Sequence, residues 1–164
     1  MKAPENNGTL EAIALRAEWA NAEKPAIADG YAMGSGTTRA IAPVPWGADL
    51  KQDCSAFADW CAGIDKKGPA SPVWQNTDAL VNDGLHTLKQ DLWRLFDAPV
   101  RGCLLVYGGH RDAHGRHPGH VGVCVSATET IDSSSTGKGI GRGVHSVAWF
   151  LARGAICIAP NGVA

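Results

Sequence analysis

No excess of positive or negative charge marks this sequence. Its 15 Lys and Arg face 16 Asp and Glu, for a net charge of -1. That balance removes the electrostatic case for nucleic acid or for a membrane surface as partner. Long apolar runs are missing as well: none approaches the roughly 20 residues that cross a bilayer. The first residues, Met1-Lys2-Ala3-Pro4-Glu5-Asn6-Asn7, lack the apolar stretch of a secretory signal. The expectation is a chain synthesised in the cytoplasm, reaching any outside target by release or by another route. Paired cysteines are also absent. The five present (54, 61, 103, 124 and 157) are odd in number and have no short paired spacing. This excludes a disulfide scaffold and a C-x-x-C zinc site.

What is present is an ordinary globular composition, 45% hydrophobic and 19% charged, over 164 residues. That length suits one domain with a real core, and a single domain over 1–164 is expected. The stretch Asp53-Cys54-Ser55-Ala56-Phe57-Ala58-Asp59-Trp60-Cys61 follows a loop holding Pro43, Pro45 and Gly47. Phe57, Trp60, Cys61 and Ile64 recur at helical spacing, so a helix is predicted to start near Asp53, with Asp53 as its N-cap. Cys54 then lies in the first turn, where the helix dipole favours thiolate, the form that attacks carbonyl carbon. A cysteine at a helix start is more often simply buried, so further residues are needed to give it a role.

Two downstream segments supply them. Gly119-His120-Val121-Gly122-Val123-Cys124-Val125 reads as a strand with a histidine at its start. Glu129-Thr130-Ile131-Asp132-Ser133-Ser134 places a carboxylate twelve positions after His120. A short turn between them predicts an antiparallel hairpin, which brings Asp132 toward His120, with Glu129 as the other candidate. Cysteine, then histidine, then a polar orienting residue is the order a thiol hydrolase uses.

The Asp-Cys-Ser-x-Phe start, the strand-borne His-Val-Gly-Val and the polar residue twelve positions on resemble the NlpC/P60 family of papain-like cysteine peptidases, relatives of the CHAP amidases, over residues 25–158. The resemblance implies a peptidoglycan hydrolase: a cysteine peptidase or amidase cutting an amide bond in cell-wall stem peptides, with Cys54, His120 and Asp132 as catalytic residues. Asp132 departs from the commonest family form, which has histidine there. Asp53 and Ser55, flanking the nucleophile, are implied to help bind the stem peptide, although Ser55 equally suits a plain first-turn role. Tyr31, before Gly34-Ser35-Gly36, matches in type a family tyrosine associated with substrate and oxyanion, while its long connection to Cys54 leaves a packing role open. The alternatives are an acyl or peptidyl transferase on the same fold and a catalytically silent wall-peptide-binding module. A chain without a wall-binding repeat suits a phage endolysin or a delivered effector. A monomer is expected, with an inhibitor or immunity protein as partner in the effector case.

The remaining chain fills in around these segments. Residues 9–23 predict a helix capped by Thr9 and ended by Pro25. A short helix is expected over 79–82 and another helical or turn segment over 88–96, with Trp74, His86 and Trp93 either lining a groove or packing. Cys103-Leu104-Leu105-Val106-Tyr107 reads as a buried strand, and Phe150-Leu151 and Ala155-Ile156-Cys157-Ile158 as closing strands. Cys61, Cys103, Cys124 and Cys157 read as inert buried thiols. Residues 109–120 hold four histidines, but Gly and Pro break the stretch and no helical His-x-x-x-His or Cys pair is present. It reads as a polar hairpin loop at the cleft mouth, with no metal or cofactor called for and a zinc enzyme the last of the readings. Gly137-Lys138-Gly139-Ile140-Gly141-Arg142-Gly143 fits no phosphate-loop pattern and reads as a flexible rim loop whose Arg142 can meet a substrate carboxylate. The fold expected is α+β and papain-like, with helices first and a mostly antiparallel sheet of about five strands after them.

Overall fold

A computed structural model of the chain describes residues 1–69, 71, 73–86 and 90–164. The first helix, α1 (Leu10–Glu23), is capped as expected: the Thr9 hydroxyl accepts the Ala12 N–H at 3.1 Å. Its buried stripe of Ala12, Ile13, Ala14, Ala17 and Ala20 is mostly alanine, which lets the helix lie close to its neighbours. The second helix, α2 (Cys54–Ala62), is buried along every residue. Asp53 caps it, accepting the Ala56 N–H at 2.8 Å. It stops at Gly63, whose φ of 76° suits a residue without Cβ and whose N–H returns to the helix carbonyls. The third, α3 (Thr77–Gly84), is capped by Asn76 and runs longer than the four residues expected.

The strands then form one six-stranded sheet, antiparallel at each described pairing. They are β1 (Trp93–Phe96), β2 (Leu104–Tyr107), β5 (His120–Cys124), β6 (Glu129–Ser134), β7 (Gly139–Ser146) and β8 (Ile156–Pro160), in the order β1-β8-β2-β5-β6-β7. A separate two-stranded hairpin, β3 (His110–Asp112) with β4 (Gly115–His117), projects between β2 and β5. A short helix, α4 (Val147–Leu151), separates β7 from β8.

Strand alternation divides the core. Leu104, Val106, Val121, Val123 and Ile131 pack with α1 and α2 around Phe57 and Trp60. Cys103, Leu105, Cys124 and Cys157 pack with Val147 and Phe150 of α4. All five cysteines are buried and free, and the Cys103 and Cys157 sulfurs approach to 2.7 Å. The chain ends meet: the Leu10 N–H donates to the Ala164 carbonyl and the Ala164 N–H to the Gly8 carbonyl, both at 3.2 Å.

The coarse class is α+β, as expected, but four local readings change. Residues 93–96 are strand rather than helix or turn, because Trp93, fully buried, enters the sheet beside β8; residues 88 and 89 of that expected segment lie outside the described residues. Phe150-Leu151 are helical, because Ser146 caps α4 by accepting the Trp149 N–H at 3.0 Å. The Gly-dense run is not a loop; from Gly139 onward it is β7, held along β6. The histidine-rich stretch is a paired hairpin. Among the described residues no helix is long and apolar enough to cross a membrane.

Candidate active site

Cys54 is the first residue of α2, and α2 packs against β5 and β6. The backbone N–H of Val121, next in the chain to His120, is near enough to the Cys54 sulfur to favour its thiolate. The thiol is only 6% exposed. Burial pushes it up to about 12; the negative charge of Asp53 adds to this, while the Val121 N–H and Lys66 pull the other way. The thiolate-favouring environment expected from the helix dipole is therefore outweighed by burial, and the resting sulfur keeps its proton. No direct hydrogen bond joins Cys54 to His120 among the described residues.

His120 and Asp132 do meet. Pairing of β5 with β6 sets Gly122 opposite Asp132, and His120 Nε2 lies 2.7 Å from Asp132 Oδ2. The same oxygen takes a second imidazole, His145 Nδ1, at 2.5 Å. Burial raises the Asp132 carboxyl, but the hydrogen bonds and charges of the two histidines outweigh it and hold the group below its ordinary value. An ionised carboxylate only accepts hydrogen bonds. Both nitrogens facing it are therefore N–H donors, which leaves Nδ1 of a neutral His120 with the free lone pair. Asp132 Oδ1 is buried with no partner among the described residues, so both imidazoles meet the carboxylate at one oxygen.

Aromatic rings fix the imidazoles. His120 stacks on Phe150 with centroids 5.6 Å apart and planes 7° from parallel. His145 lies 4.0 Å from Trp149. A Cβ on Gly122 would stand 2.9 Å from Phe150, so glycine there is what lets the Phe150 ring reach His120. His145 was not among the residues singled out in the sequence. It arrives through an irregularity in the ladder: Glu129 pairs with Ser146 while Ile131 pairs with Arg142, so the β7 side carries extra chain at this point. No spacing rule signals such a bulge.

Asp53 and Ser55 line a cleft of 490 Å³ together with Cys54, Lys66, Trp74 and Arg116. The Asp53 carboxylate is already occupied. It accepts from Ala56 N–H, Ser55 hydroxyl at 3.2 Å, Gly34 N–H at 2.9 Å and the Lys66 ammonium at 2.7 Å to both oxygens. It works as the post on which the helix start, the 31–36 loop and Lys66 are hung. Lys66, which has no role readable from the sequence, is buried beside the nucleophile; a Lys-Lys-Gly-Pro string carries no sign of that.

Tyr31 bridges to Gln52, directly before Asp53, so its long connection does return it to the site. Burial, then the neighbouring Cys54 and Asp53, push its hydroxyl well above the usual range, so it stays a donor. Arg142 is not brought to the cleft: it pairs with Glu129 at 2.9 Å and approaches Glu18 at 3.7 Å. Glu129, thus engaged, does not reach His120. Trp74 lines the cleft, Trp93 is core, and His86 is exposed. A larger hollow of 790 Å³, between the N-terminal residues, the 40–43 loop and residues 160–163, holds none of the candidate residues.

A comparison of the sequence with known protein families and with curated proteins finds no match. The functional reading therefore rests on the geometry above. A buried thiol at a helix start, an imidazole with one lone pair free, and a carboxylate fixing that imidazole can together carry out acyl transfer through sulfur.

Proposed function

We propose that the chain is a cysteine peptidase or amidase of papain-like, NlpC/P60-like build that cuts an amide bond in peptidoglycan stem peptides. The observation that carries this reading is the His120–Asp132 contact of 2.7 Å on the strand against which the Cys54 helix packs, beside an open cleft that Cys54 lines. Because the resting sulfur keeps its proton, His120 acts as general base at the moment of attack rather than holding a standing ion pair. Nδ1 takes the proton, the thiolate adds to the amide carbonyl, and Asp132 stabilises the imidazolium through Nε2–H. The Cys54 N–H, a first-turn amide without a helical acceptor, and the Tyr31 hydroxyl are the donors for the oxyanion. His120 then gives its proton to the leaving amine, and water clears the thioester. Asp53, bonded to the helix start, the 31–36 loop and Lys66, holds the frame of the cleft.

The test is mass spectrometry of purified peptidoglycan digested with wild type and with Cys54→Ala. New amide-cleaved fragments are expected from wild type only, and their masses name the bond. Equal fragments from both proteins would remove the thiol mechanism.

A further inference from the structure

We infer that His110, Asp112 and His117 form a binding site for one divalent transition-metal ion of the zinc class, on the hairpin beside the cleft. The register of β3 and β4 sets His110 directly opposite His117, and residues so paired project to the same side. Their rings stack with centroids 4.6 Å apart and planes 13° from parallel. Asp112 follows His110 by two positions, so strand alternation puts it on that same face. One ligand atom from each of the three residues lies within 4.8 Å of the others. His117 Nε2 stands 3.0 Å from Asp112 Oδ2, yet it is screened from solvent and makes no hydrogen bond of proper geometry among the described residues.

The other face of the hairpin carries the cations. Arg111 pairs with Arg116, and Arg116 lines the cleft. The hairpin thus segregates two imidazoles and a carboxylate on one side from two guanidiniums on the other. Two nitrogens and one carboxylate oxygen suit zinc and its neighbours, whereas calcium and magnesium prefer all-oxygen shells. Three protein ligands leave at least one position for water. An ion here ties the two strands together across their ends. Gly109, Pro118 and Gly119 at the hairpin's base line the cleft, so the ion would stiffen one lip of it. Neither a helical His-x-x-x-His nor a Cys pair announces this site in the sequence; a cross-strand histidine pair is a third arrangement that only strand register creates.

His120, Asp132 and His145 are a second, buried set of three such groups, and the experiment separates the two. Zinc is titrated calorimetrically into untagged protein at about pH 7.5, and cobalt absorption reports the ligand sphere. Wild type is expected to bind one zinc per chain. His110→Ala and His117→Ala should each weaken binding at least about tenfold, since loss of even an outer partner costs metal sites that much. His145→Ala should leave it unchanged. Circular dichroism checks that each variant is folded. Absence of binding in folded wild type, or binding lost in His145→Ala and kept in the His110/His117 variants, would overturn the inference.

Discussion

A sulfur that keeps its proton by burial has to lose it during the attack itself, and this governs how Cys54 should behave toward a small electrophile. With the thiol pushed up to about 12, iodoacetamide should label Cys54 slowly at neutral pH, and the rate should climb through about pH 9–10 without levelling. A plateau reached by about pH 7 would show a preformed thiolate–imidazolium pair instead, and Cys54 would then not need His120 as base in the first step. The other titrating groups near the sulfur belong to separate elements. Asp53 and Lys66 flank it from the helix cap and the following loop, Asp132 reaches it through β6, and Tyr31 lies on the preceding bridge. At this scale the sequence exposed the meeting of His120 with Asp132, because spacing along a hairpin converts directly into cross-strand proximity. It concealed Lys66 and His145, whose partners are chosen by folding at separations of 13 residues each.

The start of α2 depends on one buried ion pair. Lys66 is 3% exposed and both Asp53 oxygens lie 2.7 Å from its ammonium. Removing one partner of such a pair strands the other charge, at a cost of about 3–5 kcal/mol. Lys66→Met and Asp53→Ala should therefore each lower stability by that order in urea denaturation. Asp53→Asn combined with Lys66→Met should recover much of the loss, since the amide still caps the helix and no charge is left alone. A double variant as unstable as the sum of the singles would show that the pair is not what holds the helix start. Among the elements, α1 and α2 were legible because caps and apolar stripes are local signals. α4 and β7 were not. Val147-Ala148-Trp149-Phe150-Leu151 is an apolar run too short to declare a period, and the glycines of β7 read as loop until β6 supplies a partner.

Over the whole molecule, two buried carboxyls set opposite dependences on pH. Asp132 is held below its ordinary 3.8. The unfolded chain therefore takes up that proton first, and the stability Asp132 contributes is complete above about pH 5 and is lost as pH falls through its depressed folded value. Asp59 is fully buried on α2 with neither oxygen partnered among the described residues, and burial raises it well above 3.8, with Lys66 opposing the rise and Asp53 adding to it. Its contribution is present below the ordinary value and is lost as pH rises toward the folded one. Asp59→Asn should thus raise the melting temperature at pH 7 and change it much less at about pH 4. Asp132→Asn should remove stability at pH 7 and flatten the acid limb. A melting profile for Asp59→Asn parallel to wild type across that range would show that Asp59 is ionised in the fold.

The pairing of Gly8 and Leu10 with Ala164 makes the backbone almost a closed ring. Joining those ends and opening the ring in the exposed bend between Asp97 and Ala98 would leave every strand pairing in place. The permuted chain would read His120, then Asp132, then His145, with Cys54 last of the four, yet fold around the same cleft. The order of cysteine, histidine and carboxylate that made the chain readable is thus a feature of how it is threaded, and its chemistry has no need of that order.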